Sequence, residues 1–313
     1  KASGASVGLT NVDEVPDLYV KVVDTTKKHL AILAEGNLTN AELKAGFKFT
    51  DRELASVPRL SKKWAAGYIE RGTVKSQTMT FVYGSKDYAI RKMVMKAFAK
   101  QVKIGELFPE NFSTNIDDAA YIMRVAARAI RDEVTSTYVV MEWLKKCAEI
   151  TSKESLPIKW QLPSGFVVKQ DYRKRVGQKV PFDIEGTRHQ LTVRITTTKM
   201  RADKMVNALP ANYVQSMDAN HLMTTVDACL ERGVEAFSMV HDSFGVLAGD
   251  AQTMYEELRK AFVEQYSGNL LEEFRENLVT SELSEELRVS IPPVPVLGDL
   301  DIADIVNCKY IFT

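Results

Sequence analysis

The stretch Arg71–Gly84, R-G-T-V-K-S-Q-T-M-T-F-V-Y-G, places Arg71, Lys75, Met79 and Tyr83 at an interval of four residues and follows them with Gly84. On an α-helix each such step turns about 400°, so the four residues drift by about 40° apiece and share roughly 120° of one face. The rise from Lys75 to Tyr83 is about 12 Å, close to the reach of an extended nucleoside triphosphate. Two cations at one end suit a polyphosphate, an apolar side chain suits the middle, and an aromatic ring suits the sugar and base. A glycine after the ring leaves the backbone open to close approach. The simpler reading makes Met79, Phe81 and Tyr83 core residues and leaves Arg71 and Lys75 in solvent.

The rest of the chain has to supply a context for that line. Its 313 residues are 45% apolar, enough to bury a sizeable core in one large domain or two smaller ones. No apolar run approaches the roughly 18 residues that span a bilayer, so no membrane partner is expected. The opening K-A-S-G-A-S-V-G-L lacks the apolar centre of a signal peptide, and the absence of an initial methionine reads as a start that is missing, processed or cut. Cys147, Cys229 and Cys308 stand far apart with no Cys-x-x-Cys or Cys/His spacing, which argues for idle thiols in a reducing compartment and against zinc or disulfides.

A net charge of zero conceals a segregation. Residues 59–103 hold eleven Lys/Arg against two Asp/Glu, and residues 159–204 hold eleven against four, whereas residues 227–301 hold sixteen acids against five bases. Two basic stretches and one acidic one suit a protein that grips a polyanion with part of its surface; solvated helix faces would give the same counts.

Along the chain, the first seventy residues read as helical, with turns at Gly36-Asn37 and around Pro58 and with Ser61 as a helix cap. Gly84 reads as a helix stop, Ser85 as the next cap, and residues 117–148 as one long helix. Near Ile158 the pattern changes to short β runs around a Pro-Ser-Gly turn. The basic segment of about 173–201, rich in Thr and Val and broken by Pro181 and Gly186, reads as a protruding hairpin or loop. A helix from near Asp218, two strands around F-S-M-V-H-D-S-F-G-V-L, a helix over 251–266 and a Pro-rich tail complete the chain. In the strand pair Asp242 interrupts two apolar runs. An ionised acid beside a packed sheet is costly unless paired or bound to a cation, although a turn aspartate bonding its own backbone beside Ser243 and Gly245 is the plainer alternative.

Together, R-x-x-x-K-x-x-x-x-x-x-x-Y-G and, some 150 residues later, H-D-S-F-G resemble the single-subunit RNA polymerase family of bacteriophages and mitochondria. W-A-A-G-Y-I-E-R-G-T-V-K, M-E-W-L-K, K-W-Q-L-P-S-G-F and S-M-D-A-N-H-L appear in the family's order across essentially all 313 residues, with a closer likeness to the phage branch.

The resemblance implies a mostly helical α+β chain with a right-hand polymerase fold. Residues 1–214 would form fingers, with the nucleotide-binding helix 71–84 and the basic hairpin, and residues 215–313 the C-terminal part of the palm and the tail. Arg71 and Lys75 would contact the triphosphate, with Lys75 also assisting the leaving pyrophosphate. Met79 would lie along the nucleotide, Tyr83 would monitor the ribose, and Gly84 would clear space beside the template. Asp242 would be one of two aspartates holding two Mg²⁺ ions, with His241 near the RNA end. The partners implied are DNA template, RNA product and NTPs, in the cytoplasm of an infected bacterial host.

The sequence also departs from the family. No match to the motif bearing the first aspartate is found, which implies a cleaved enzyme or a heterodimer whose second polypeptide carries the N-terminal half. Ser76 stands where phage relatives often carry another basic residue, and Gln215 where the family usually has a histidine reaching the minor groove. The basic segment falls where phage relatives carry a promoter-reading hairpin, and Arg173, Lys174 and Arg175 serve equally as phosphate contacts. The rival readings are a fragment of a related DNA polymerase, which usually carries His-Asp-Glu in place of H-D-S, and a non-catalytic nucleic-acid-binding subunit on the same scaffold.

Overall fold

The computed structural model describes residues 9–10, 17–66, 69–81, 91–97, 116–240, 243–279, 282–309 and 311. Among the described residues helices dominate and the strands form three separate antiparallel hairpins, so the chain is a mostly helical α+β protein as expected. It divides into two compact units, residues 1–139 with 298–313, and residues 140–297. The division at 139/140 falls inside a helix, and the expected fingers–palm boundary at 214/215 falls inside another.

The first unit is helical. Helices α1 (Leu18–Glu35), α2 (Asn40–Phe47), α3 (Asp51–Leu54), α4 (Val57–Ala66), α5 (Arg71–Phe81) and α6 (Ile116–Glu133) surround one core, and residues 91–97 add a further helical stretch. Local chemistry sets most of the boundaries. Asp17 caps α1 and Gly36 ends it at φ +74°, while Thr39 with Glu42 and Thr50 with Glu53 form reciprocal capping boxes. Leu30, Trp64, Ile69, Val74, Tyr121 and Ile130 are buried in the shared core.

The turn expected around Pro58 is present at Ala55 and Ser56, and Pro58 itself occupies the first turn of α4, where its missing amide costs nothing. Two other expectations fail. Ser61 caps nothing: it lies buried inside α4, donates to the Val57 carbonyl at 2.6 Å and bonds the Tyr121 hydroxyl at 2.8 Å. The long helix expected over 117–148 is two helices, α6 and α7 (Thr135–Ser152), meeting at Val134. There the Thr135 hydroxyl bonds back to the Arg131 carbonyl, a contact that disturbs regular helix.

The second unit packs the C-terminal part of α7 with α8 (Ala202–Glu231), α9 (Ala251–Tyr266), α10 (Leu270–Val279), α11 (Glu285–Ser290) and three hairpins. These are β1–β2 (Ile158–Gln161 with Val167–Gln170), β3–β4 (Arg173–Ile184 with Thr187–Met200) and β5–β6 (Phe237–Val240 with Ser243–Val246). Phe274 sits at the centre, with its ring centroid 5.9 Å from Trp143, 5.9 Å from Trp160 and 5.2 Å from Tyr213. Both buried tryptophans satisfy their indole N–H groups, Trp143 on the Pro292 carbonyl and Trp160 on the Ser216 hydroxyl. The tryptophans of M-E-W-L-K and K-W-Q-L-P are therefore core residues.

The helix expected near Asp218 starts at Ala202 and runs for 30 residues through Pro210. Proline removes an internal hydrogen bond, but Met205, Leu209, Tyr213 and Met217 bury the same stretch in the core, and packing outweighs the local penalty. All three cysteines are buried and none is in a disulfide, and burial pushes the Cys147 thiol up to about 12, which leaves it protonated and unreactive.

Phe274→Ala removes the ring shared by the three other aromatics. Chemical denaturation should show a loss of about 3–5 kcal/mol, and a loss below about 1 kcal/mol would mean that this cluster does not hold the second unit together.

Candidate functional site

Helix α5 has two faces. Thr73, Val74, Gln77 and Thr78 are buried, and Phe81 packs against the core, 6.2 Å between ring centroids from Tyr138. Gln77 donates from Nε2 to the Met123 carbonyl at 2.7 Å, a buried bond that ties α5 to α6. The opposite face carries Arg71, Lys75 and Met79, all exposed, with Met79 at 50%. The core reading therefore holds for Phe81 and fails for Met79. Tyr83 and Gly84, which would complete the line, lie outside the described residues.

Two residues that the sequence reading did not single out organise the exposed face. The Asp17 carboxylate, already accepting from the Tyr19 and Val20 amides as the cap of α1, also accepts from Arg71 Nε at 2.7 Å. Burial disfavours its ionised form, but the hydrogen bonds from Arg71, Val20 and Tyr19 outweigh that cost and hold the carboxyl below its ordinary value. The Tyr19 ring lies under both cations, 4.7 Å from the Arg71 guanidinium and 5.8 Å from the Lys75 ammonium. The signal in the sequence was P-D-L-Y, an aspartate just before a helix with an aromatic two residues later, which reads locally as a cap and nothing more.

In the second unit, β5 and β6 pair from Phe237↔Val246 to Val240↔Ser243. His241 and Asp242, between them in sequence, lie outside the described residues. What supports this hairpin is described. His221 on α8 is buried, donates from Nε2 to the Leu258 carbonyl at 2.8 Å, and sets its ring 5.7 Å from Phe244 on β6. Burial disfavours the charged ring and lowers the His221 pKa, against weaker opposing pulls from the Leu258 carbonyl and Asp218. The histidine of S-M-D-A-N-H-L is thus a packing residue under the strand that follows Asp242. Gln215, on the same helix, is exposed.

The basic segment is a two-stranded ribbon with Glu185 and Gly186 at positive φ in its turn, and its twelve-residue strand β3 extends about 40 Å. Its register divides it by face. Val176, Val180, Phe182 and Ile184 share one face with Leu191, Val193 and Ile195, and all seven are exposed. Arg175, Lys179, Arg188 and Arg194 share the other. Arg173 is tied to Asp171 at 2.7 Å, whereas Lys174 and Arg175 face no carboxylate among the described residues.

Among the described residues no group of three or more His, Cys, Asp or Glu could hold a metal ion, and no helix is long and apolar enough to cross a membrane.

The model of DNA-dependent RNA polymerases matches residues 1–288. This chain is a member of that family. The DNA-directed RNA polymerase 2A of Nicotiana tabacum is 31% identical over 244 residues, covering 78% of this chain and 69% of the relative. The mitochondrial DNA-directed RNA polymerase 1B of the same plant is 29% identical over the whole of this chain, and the DNA-directed RNA polymerase of Enterobacteria phage T3 is 27% identical, again over the whole chain. The chain spans 28% of the length of the former and 37% of the latter. By identity the phage branch does not stand out from the plant organellar one, contrary to the sequence reading. The matched family is the RNA polymerases and not the related DNA polymerases.

A buried neutral histidine makes stability depend on pH in one direction. With the folded value below that of the unfolded chain, unfolding takes up a proton once pH falls below about 6.5, so stability is full above that pH and declines beneath it. Melting temperatures between pH 8 and pH 5 should fall on the acid side, and His221→Gln should flatten the fall. An unchanged slope would mean that His221 is not what acid titrates.

Proposed function

We propose that this chain is the nucleotide-binding, catalytic C-terminal portion of a DNA-directed RNA polymerase. Residues 1–214 serve as fingers and 215–313 as the C-terminal part of the palm, acting on a DNA template, an RNA 3′ end and NTPs. The observation that carries the reading is the exposed line Arg71, Lys75, Met79, with both cations gathered over Tyr19, in a member of this family.

Arg71 and Lys75 hold the triphosphate. As the RNA 3′-hydroxyl attacks the α-phosphorus, the bond to the β-phosphate breaks and pyrophosphate leaves, and Lys75 gives a proton to the departing oxygen. The phosphate oxygens compete with Asp17 for the Arg71 guanidinium, so the ion pair that positions Arg71 in the free protein opens when nucleotide binds. Tyr83 contacts the ribose, and Gly84 leaves room for the template. His241 lies near the RNA end, and Gln215 donates to the minor groove of the active-site duplex.

Asp242 is one carboxylate of the magnesium site, and a second aspartate comes from an upstream segment or a partner subunit carrying the N-terminal half. Bound Mg²⁺ would stabilise the attacking and leaving oxygens. A divalent ion that takes six oxygens is not held by one carboxylate. The chain alone is accordingly expected not to extend a primer.

Steady-state RNA synthesis with the N-terminal half present tests these assignments. Lys75→Ala should lower kcat/KM by about a hundredfold or more. Asp242→Asn should cost several orders of magnitude without lowering the melting temperature, as about 10³-fold or greater losses accompany removal of a group central to catalysis. A chain that still binds template and tolerates Asp242→Asn would be a non-catalytic subunit.

Tyr83→Phe separates a ribose-sensing hydroxyl from a mere ring, because it should raise incorporation of deoxynucleotides relative to ribonucleotides. Unchanged selectivity removes that role.

A further inference from the structure

One carboxylate intrudes on the cationic face of α5. Arg71 and Lys75 stand four residues apart, so about 6 Å of helix rise separates them. Arg71 gives its Nε to Asp17 Oδ2 at 2.7 Å, whereas Lys75 pairs with no carboxylate among the described residues. The two cations are therefore unequal before any ligand arrives.

Asp17 is not free to follow Arg71 outwards. Its other oxygen, Oδ1, accepts from the Tyr19 amide at 2.9 Å and from the Val20 amide at 3.1 Å, which fixes the carboxylate at the start of α1. The Arg71 side chain is 47% exposed and that of Asp17 33%, so the pair adds little stability and opens at little cost. When Arg71 leaves the carboxylate, the Tyr19 ring, 4.7 Å from the guanidinium, remains as a second support. The ion pair thus has a fixed half and a movable half, and the movable half is the phosphate-binding one.

We infer that Asp17 is a positioning residue that acts as a resident competitor for Arg71, weakening the hold of this face on a phosphate chain that spans both cations and retaking Arg71 as that chain leaves. A single phosphate settles on Lys75 and leaves the pair intact. A chain of two or three phosphates reaches Arg71 only by meeting Asp17. Restraint of Arg71 spares conformational entropy and favours binding, but a fixed carboxylate beside an anion of several charges opposes it more strongly, so the net effect is competition. Pyrophosphate has to leave these cations after every nucleotide added, and differences in affinity among related complexes lie mostly in the rate of leaving. A competitor built into α1 keeps the product from blocking the next nucleotide. The inference rests on the nucleotide-site reading of α5 and adds to it the control of release.

Isothermal titration calorimetry on the full chain tests it, with inorganic phosphate, pyrophosphate and tripolyphosphate as the probes. Asp17→Asn keeps the capping oxygen and removes the charge, which separates the ion pair from the cap. It should tighten pyrophosphate and tripolyphosphate by about three- to fivefold and leave inorganic phosphate unchanged. In an Arg71→Gln background the same substitution should bring no gain, because the competitor then has no cation to hold. The inference is overturned by unchanged or weaker tripolyphosphate binding in Asp17→Asn, by an equal gain for inorganic phosphate, or by a gain that persists in full without Arg71. If Arg71→Gln and Lys75→Ala both leave tripolyphosphate binding intact, the nucleotide-site reading itself fails and takes this inference with it. If both weaken it while Asp17→Asn does not tighten it, only the inference fails.

Discussion

The amide of Gln77 donating to the Met123 carbonyl settles which way helix α5 faces. Apolar contacts would let an eleven-residue helix roll by tens of degrees at little cost, because hydrophobic burial is non-directional. A buried hydrogen bond is directional, and breaking it strands the Gln77 side-chain N–H in the core at a cost of about 1–3 kcal/mol. With Gln77 inward, the interval of four puts Arg71, Lys75 and Met79 outward together. A roll of half a turn would bury two cations, so the exposed face depends on that bond.

The outward cations still need to be gathered, and α1 does this from a distance in sequence. Asp17 spends one carboxylate on two tasks, capping α1 and holding Arg71, and Tyr19 lies two residues along to support both cations. Because the ion pair is partly exposed, its value lies in positioning a long flexible side chain more than in stability. An arginine held in this way loses less conformational entropy when it meets a phosphate.

The basic ribbon solves a different problem. A two-stranded hairpin exposed on both sides is marginal in water, and this one is anchored at its base by paired strand ends, the Tyr172–Arg201 bond and the Gln170–Asn212 network. Strict alternation then sends every Arg and Lys between 175 and 196 to one face and every large aliphatic or aromatic side chain to the other. The segregation of charge along the sequence becomes a segregation across a surface.

Local pattern was enough to read the helix over 251–266 and to narrow 173–201 to a hairpin or loop, because the hydrogen bonds and caps involved join residues near in sequence, while the mostly helical α+β class came with the family resemblance. The motifs carried the family for the same reason: they are contiguous strings. Local rules failed where packing competed with them. Pro210 reads as a helix break but stays helical between buried neighbours, Ser61 reads as a cap but is a core hydrogen bond, and Trp143 and Trp160, conspicuous in their motifs, serve the core. The partnership of Asp17 with Arg71 spans 54 residues, so it has no local signature. The sequence by itself determined which side chains exist and which face of each helix or strand they share. Only the tertiary structure decided which of those faces meet, because that depends on burial and directional bonds between segments that the chain brings together from far apart.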